Sequence, residues 1–264
     1  MTAIITSPQN PRIKAVADLR ESRTRRETGL ILIDGLREIG RAIDAGVAVD
    51  EAFCCEEIGM SEAARAITQR LREVGATVTG VSKRVYEKIG YGDRADGVIV
   101  VAHRPKRELA ELKLESNVLL AVIEGLEKPG NVGAICRSAD GAGLDAIIVM
   151  DSASDPFGPN AIRASTGTIF TLPVIESTEK VTMEWLMSNH FQIIAASPHA
   201  TKSYSEIDFR KSTAIILGSE AKGLTDTWKG RAIGARVPMN GRADSLNVSV
   251  TAALFFYEAL RQRL

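Results

Sequence analysis

Three short stretches of this chain place polar side chains and glycines at spacings that suit a bound ligand: Asn131-x-Gly133-x-x-x-Arg137, Leu217-Gly218-Ser219-Glu220-Ala-Lys-Gly223-Leu224, and Val237-Pro-Met239-Asn-Gly-Arg-Ala-Asp-Ser245-Leu246-Asn247-Val-Ser-Val250. In the first, Gly133 allows close backbone approach, Asn131 can cap a helix, and Arg137 offers a fixed cation. In the second, two glycines flank polar residues after an apolar run. Backbone N–H groups in such a loop can grip an anion or an adenine edge. In the third, an apolar strand, a glycine loop and a helix start come together. An α/β protein exposes strand-end loops and free helix N–H groups to ligands at such a point. A fourth, weaker candidate is Arg163-x-Ser165-x-Gly167. Each stretch also has a plain reading: a helix cap with a surface arginine, a strand-to-helix turn, and Ser245 and Asn247 as caps of the last helix.

Other chemistries find little support. The second stretch does not follow the GxxxxGK[ST] order of a phosphate-binding loop, and no GxGxxG opens a βαβ unit, which argues against a nicotinamide-dinucleotide enzyme. His103, His190 and His199 form no paired motif, and the adjacent Cys54 and Cys55 point to opposite faces of a strand, so no metal is expected. With Cys136 the thiols number 3, too few and too oddly placed for a disulfide framework, and the chain reads as cytoplasmic. No apolar run reaches the roughly 20 residues of a membrane span. The N-terminus shows no signal-peptide pattern. Lys plus Arg equals Asp plus Glu at 33 each, so only the distribution of charge can point to an anionic partner. That distribution is uneven: Arg12, Lys14, Arg20, Arg23, Arg25 and Arg26 face only Asp18 and Glu21, a solvated helix face or a phosphate-binding surface.

The elements that must position these residues alternate between strand and helix. A helix is predicted over 10–20, a strand over 30–33, and a helix over 36–45 capped by Asp34. Strands follow at 49–55 and 76–81, helices at 61–74 and from Ser82 to 89, and a strand at 97–101. This makes a small α/β domain over 1–104, with a charged, proline-containing linker at 105–116. A second α/β domain over 117–264 opens with the buried strand 118–123, then a helix from Asn131 and a strand at 146–150. Strands at 169–174, 191–196, 213–217 and 232–239 continue it, with a helix over 178–189, a helical segment around 225–229 and a C-terminal helix over 248–260. Strands alternating with helices imply a parallel sheet covered on both faces.

Taken in order and spacing, N-x-G-x-x-x-R, L-G-S-E-x-x-G-L and V-P-M-x-G-x-x-x-S-L-N-V-S-V resemble the three motifs of the SpoU/TrmH family of SPOUT-class RNA methyltransferases. The first half resembles, more weakly, the L30e-like substrate-binding domain found in that family. One departure is Ala221, where the family often has glycine after the glutamate of the second motif. The resemblance implies a C-terminal deep trefoil knot, a homodimer with active sites at the subunit interface, and S-adenosylmethionine as methyl donor. It assigns the donor's contacts to Leu217, Gly218, Ser219, Glu220, Gly223, Val237, Met239, Ser245 and Leu246, and the catalytic centre to Arg137, Asn131, Glu220, Ser245 and Asn247. The implied activity is 2′-O-methylation of RNA, ribosomal RNA in preference to transfer RNA, with an inactive RNA- or ribosome-binding protein as the alternative. Arg12, Lys14, Arg23, Arg25, Arg26 and Arg163 are the expected RNA contacts.

Overall fold

A computed structural model of the chain describes residues 4–91, 96–113, 116–151, 154–219 and 223–264. They form two compact units, one of Met1–Pro105 with Phe157–Thr171, the other of Lys106–Pro156 with Leu172–Leu264.

The first unit opens with α1 (Pro11–Asp18), which Asn10 caps by accepting the Arg12 N–H, and α2 (Ser22–Thr28), which ends at Gly29 in the left-handed region. The single predicted helix over 10–20 is therefore shorter, and the basic segment runs on into a second helix. Then come β1 (Leu30–Asp34), α3 (Leu36–Asp44), β2 (Val49–Cys54), α4 (Glu62–Glu73), β3 (Thr77–Gly80), α5 (Lys83–Ile89) and β4 (Val98–His103). The sheet order is β1-β4-β2-β3, antiparallel except between β2 and β3. Ile13, Leu32, Phe53, Val85 and Ile99 meet in its core. Asp34 does not cap α3. Gly35 holds that place, and the Asp34 carboxylate accepts the Tyr91 backbone N–H at 2.8 Å.

The second unit begins within the predicted linker, where a 3-10 turn at Leu109–Glu111, closed by a capping box from Glu108, buries Leu109 in this unit's core. β5 (Leu119–Glu124), α6 (Pro129–Gly141) and β6 (Ala146–Met150) follow. The next two short helices, α7 (Pro159–Ala164) and α8 (Thr168–Thr171), fold with the first unit. Arg41 donates to the Thr166 carbonyl at 2.8 Å there, and Gly167 (φ +87°) lies so close to α3 that a Cβ would stand 3.0 Å from the Glu38 Cα. The strand predicted over 169–174 is replaced by α8. The sheet is rejoined only at β7 (Val174–Ser177), followed by α9 (Glu179–Ser188), β8 (Gln192–Ala196), β9 (Lys202–Ser203), β10 (Thr213–Leu217), β11 (Ile233–Arg236) and α10 (Val248–Arg263).

The strand order β7-β6-β5-β10-β8-β11-β9 is parallel at every pairing, as the alternation predicts. β5 and β10 are buried on both faces, which accounts for their continuous apolar runs. Ile123 pairs with Leu217, Leu217 with Ala196, and Ala196 with Ala235. The loops after β5, β10 and β11 therefore leave one edge of the sheet at one level. The strand predicted over 232–239 contracts to β11, because Pro238 cannot donate to a ladder. α10 buries Val248, Ala252, Phe255, Phe256 and Ala259 and packs along α6, where a Cβ on Gly141 would stand 2.9 Å from the Tyr257 hydroxyl. Among the described residues no helix is long and apolar enough to cross a membrane, and no group of three or more histidines, cysteines or carboxylates gathers to hold a metal.

Candidate functional site

The loop after β5 turns directly into α6. The helix starts at Pro129, two residues before the predicted cap, so Asn131 stands in the first turn rather than at the cap. Its amide oxygen there accepts a hydrogen bond from Asn247 Nδ2 at 3.3 Å, across 116 residues of sequence. Asn247 is the N-cap of α10. Its Oδ1 accepts the Ser249 N–H at 2.9 Å and the Ser249 hydroxyl at 2.6 Å. The first and third motifs thus meet side chain to side chain. Farther along α6, Arg137 is exposed and has no hydrogen-bond or ion-pair partner among the described residues. Beside it in sequence, Cys136 is fully buried, and burial pushes its thiol up to about 12, which removes it as a nucleophile.

The double duty of Asn247 separates by substitution. Asn247→Ala loses the cap and is expected to lower stability by about 1 kcal/mol. Asn247→Asp keeps an oxygen for Ser249 but has no amide donor for Asn131. Chemical denaturation should show the loss only in Asn247→Ala, whereas the activity of the site should fall in both. Equal activity of Asn247→Asp and wild type would reduce Asn247 to a cap.

The loop after β10 is pinched shut at its base. Leu217 is buried, and Ser219 and Gly223 form a bridge in which the Gly223 N–H donates to the Ser219 carbonyl at 2.8 Å. A Cβ on Gly218 would stand 2.6 Å from the Gly223 carbonyl carbon and oxygen, and Gly223 has φ +69°. Both glycines are thus required by backbone geometry. Glu220, between them, lies outside the described residues. The neighbouring loop presents Gly125 (φ +63°), where a Cβ would come within 3.8 Å of the Ser219 Cβ.

Sequence reasoning missed two residues here. Glu124 ends β5 almost fully buried, and its carboxylate accepts the Trp228 Nε1–H at 2.8 Å and the Thr225 backbone N–H at 3.3 Å. The available signal was a carboxylate closing an apolar run, since a buried charge demands partners.

The third loop lines the same edge. Val237, Met239 and Leu246 are half-buried, and Ser245 is exposed. Half-buried apolar side chains beside glycine backbone form a surface that fits a flat heteroaromatic ring and its polar edge. The residues present therefore suit a nucleoside-bearing cofactor.

The cations of the first unit divide. Arg12, Lys14, Arg23 and Arg26 are exposed, Arg12 in an ion pair with Glu51 and Arg23 in one with Glu27 at 2.7 Å. Arg25, by contrast, is 4% exposed and donates to the Leu19 and Arg20 carbonyls at 2.7 Å, so its guanidinium holds the α1–α2 turn and is withdrawn from any phosphate surface. Arg163 is half-buried and donates to the Tyr91 carbonyl, within the same unit.

Comparison with known proteins fits this geometry. A model of the SpoU rRNA Methylase family matches residues 118–257, and one of an MRM3-like substrate binding domain matches residues 10–100. The chain is 28% identical to a 23S rRNA (uridine(2479)-2′-O)-methyltransferase of Streptomyces viridochromogenes, over 95% of this chain and 88% of that protein. A crystal structure of an RNA 2′-O ribose methyltransferase superposes with TM-score 0.86 at 40% identity, covering 99% of both chains. An rRNA methyltransferase from Sinorhizobium meliloti with bound S-adenosylmethionine superposes with TM-score 0.90 at 26% identity, over 99% of this chain and 98% of that one.

Proposed function

Since the chain belongs to the SpoU rRNA methylase family, we propose that it transfers a methyl group from S-adenosylmethionine to a ribose 2′-hydroxyl of ribosomal RNA. The observation that carries this reading is the contact of Asn131 with Asn247 at the sheet edge where the Gly218–Gly223 loop emerges.

When bound, S-adenosylmethionine supplies an already electrophilic sulfonium methyl, so the protein's task is mainly alignment of the hydroxyl. Leu217, Gly218, Ser219, Gly223, Val237, Met239, Ser245 and Leu246 would hold it, largely through backbone groups and apolar walls, with Glu220 assigned beside them by motif alone. Asn131 and Asn247 fix each other, and with Ser245 they orient the hydroxyl. Arg137 offers a fixed cation rather than a general base. It clamps the flanking phosphate and stabilises the alkoxide charge that develops as the hydroxyl proton passes to solvent water.

The first unit holds the RNA. Arg12, Lys14, Arg23 and Arg26 supply exposed cations, and the matched substrate-binding family points the same way. Arg23→Ala with Arg26→Ala is expected to weaken RNA binding and reduce the salt slope by about 1 to 2. Arg25 is left intact, because its loss would disturb the fold. An unchanged slope in a filter-binding titration would remove α2 from the RNA surface.

The functional division follows 1–104 for RNA binding and 117–264 for methyl transfer, with 157–171 folding alongside the former and the 106–116 connector alongside the latter. The catalytic unit works as a homodimer, with a trefoil knot at its C-terminus. Support for the dimer is an apolar pair on α10, the helix packed along α6, where Val250 is 47% and Tyr257 51% exposed. Three free, buried cysteines fit a reducing cytoplasm.

The direct test is incubation with methyl-labelled S-adenosylmethionine and total RNA. Label in ribosomal RNA is the expected result. Label confined to transfer RNA would move the substrate, and no transfer despite RNA binding would favour a binding protein.

A further inference from the structure

We infer that Glu124 is a positioning residue that clamps the cofactor loop from beneath, with Trp228 as its counterpart. The inference rests on the cofactor-binding assignment of the Gly218–Gly223 loop.

Glu124 is the last residue of β5, and Leu217, at the end of neighbouring β10, opens the cofactor loop. The loop leaves at Leu217 and returns through Leu224 to a 3-10 turn at Asp226–Trp228. Among the described residues the return half joins no strand beyond the Ser219–Gly223 bridge. Past that bridge it is held by the carboxylate, whose Oε2 accepts the Trp228 indole N–H at 2.8 Å and whose Oε1 accepts the Thr225 N–H at 3.3 Å. Both partners lie more than a hundred residues away in sequence, so the clamp ties the strand end directly to the loop's far side.

The environment makes the clamp strong. Glu124 is 5% and Trp228 3% exposed, so the bonds compete little with water. A charged acceptor strengthens both, and no cation has to follow the carboxylate inward when such N–H donors satisfy it. Trp228 also packs in the core with Val122 and Ile216, which fixes the ring that the carboxylate reads. Immediately after Glu124, Gly125 turns with φ +63° beside Ser219. One strand end therefore sets both sides of the loop: Gly125 faces the outgoing arm and Glu124 holds the returning arm. A loop whose two arms are fixed at the base before binding saves ordering cost at the moment of binding.

Two variants test this. Glu124→Gln keeps the shape and one acceptor oxygen but faces one donor with an amide NH₂. Trp228→Phe keeps the ring and removes the indole donor. Isothermal titration with S-adenosylmethionine should show about tenfold weaker binding in each, and the double variant should lose less than the sum of the two. In turnover, KM for S-adenosylmethionine should rise while kcat changes little, and the midpoint of thermal unfolding without cofactor should move far less than binding does. Wild-type affinity in both variants would overturn the inference, as would a loss of affinity matched by equal loss of fold stability. The wild-type titration separates the two levels: no binding there sinks the cofactor assignment itself, whereas normal wild-type binding with unaffected variants sinks only the clamp.

Discussion

Arg137→Ala is expected to lose about two to three orders of magnitude in kcat, the scale seen when one group stabilising developing negative charge is removed. Arg137 stands exposed on α6 with no hydrogen-bond or ion-pair partner among the described residues, so its removal leaves none of their polar groups unsatisfied. Stability and S-adenosylmethionine affinity should therefore stay within about a factor of two of wild type, with the loss confined to methyl transfer. Arg137→Lys keeps the charge but not the planar fork that fits a phosphate. It should recover only part of the rate. Single-turnover assays with saturating RNA separate the chemical step from binding. Full transfer by Arg137→Ala would remove it as both clamp and charge stabiliser.

Gly218→Ala is expected to affect cofactor binding most. A Cβ there would lie 2.6 Å from the Gly223 carbonyl carbon and oxygen and 2.8 Å from the Leu224 nitrogen, all backbone atoms that cannot swing aside as a side chain does. The loop must open, at a cost of about 1–3 kcal/mol. If that cost falls on the bound form, affinity for S-adenosylmethionine drops about ten- to a hundredfold. Gly241→Ala in the third loop is the matched control, since a Cβ there meets nothing within 4 Å. Titration calorimetry should find near-normal binding in Gly241→Ala and weak or no binding in Gly218→Ala. Normal binding by Gly218→Ala would mean that the pinched loop does not hold the cofactor.

What could be read in the sequence, and what could not, follows the range of the interactions. The parallel sheet was legible because strands buried on both faces write continuous apolar runs, as in β5 and β10. The glycines of the second motif were legible because their constraint is local backbone geometry. The Asn131–Asn247 contact spans 116 residues; the family resemblance put both at one centre, but the hydrogen bond between them is not written in composition or periodicity. Arg25 reads like Arg23 and Arg26 in sequence, yet it alone turns inward to the carbonyls of the α1–α2 turn. The 157–171 segment reads as part of the second α/β unit. It folds instead with the first, through contacts such as Arg41 to Thr166 that sequence order hides. Ile169 and Phe170, apolar enough for a strand, are buried in the α8 turn, since burial alone does not distinguish short helix from strand.

In the proposed function this sheet edge directs a methyl group to a ribose oxygen. Nucleoside mass spectrometry of ribosomal RNA, after reaction with methyl-labelled S-adenosylmethionine, tests it most directly. Label is expected in a single 2′-O-methylated nucleoside, and is absent when Arg137→Ala replaces wild type. Label on a base, with the ribose unmodified, would contradict it.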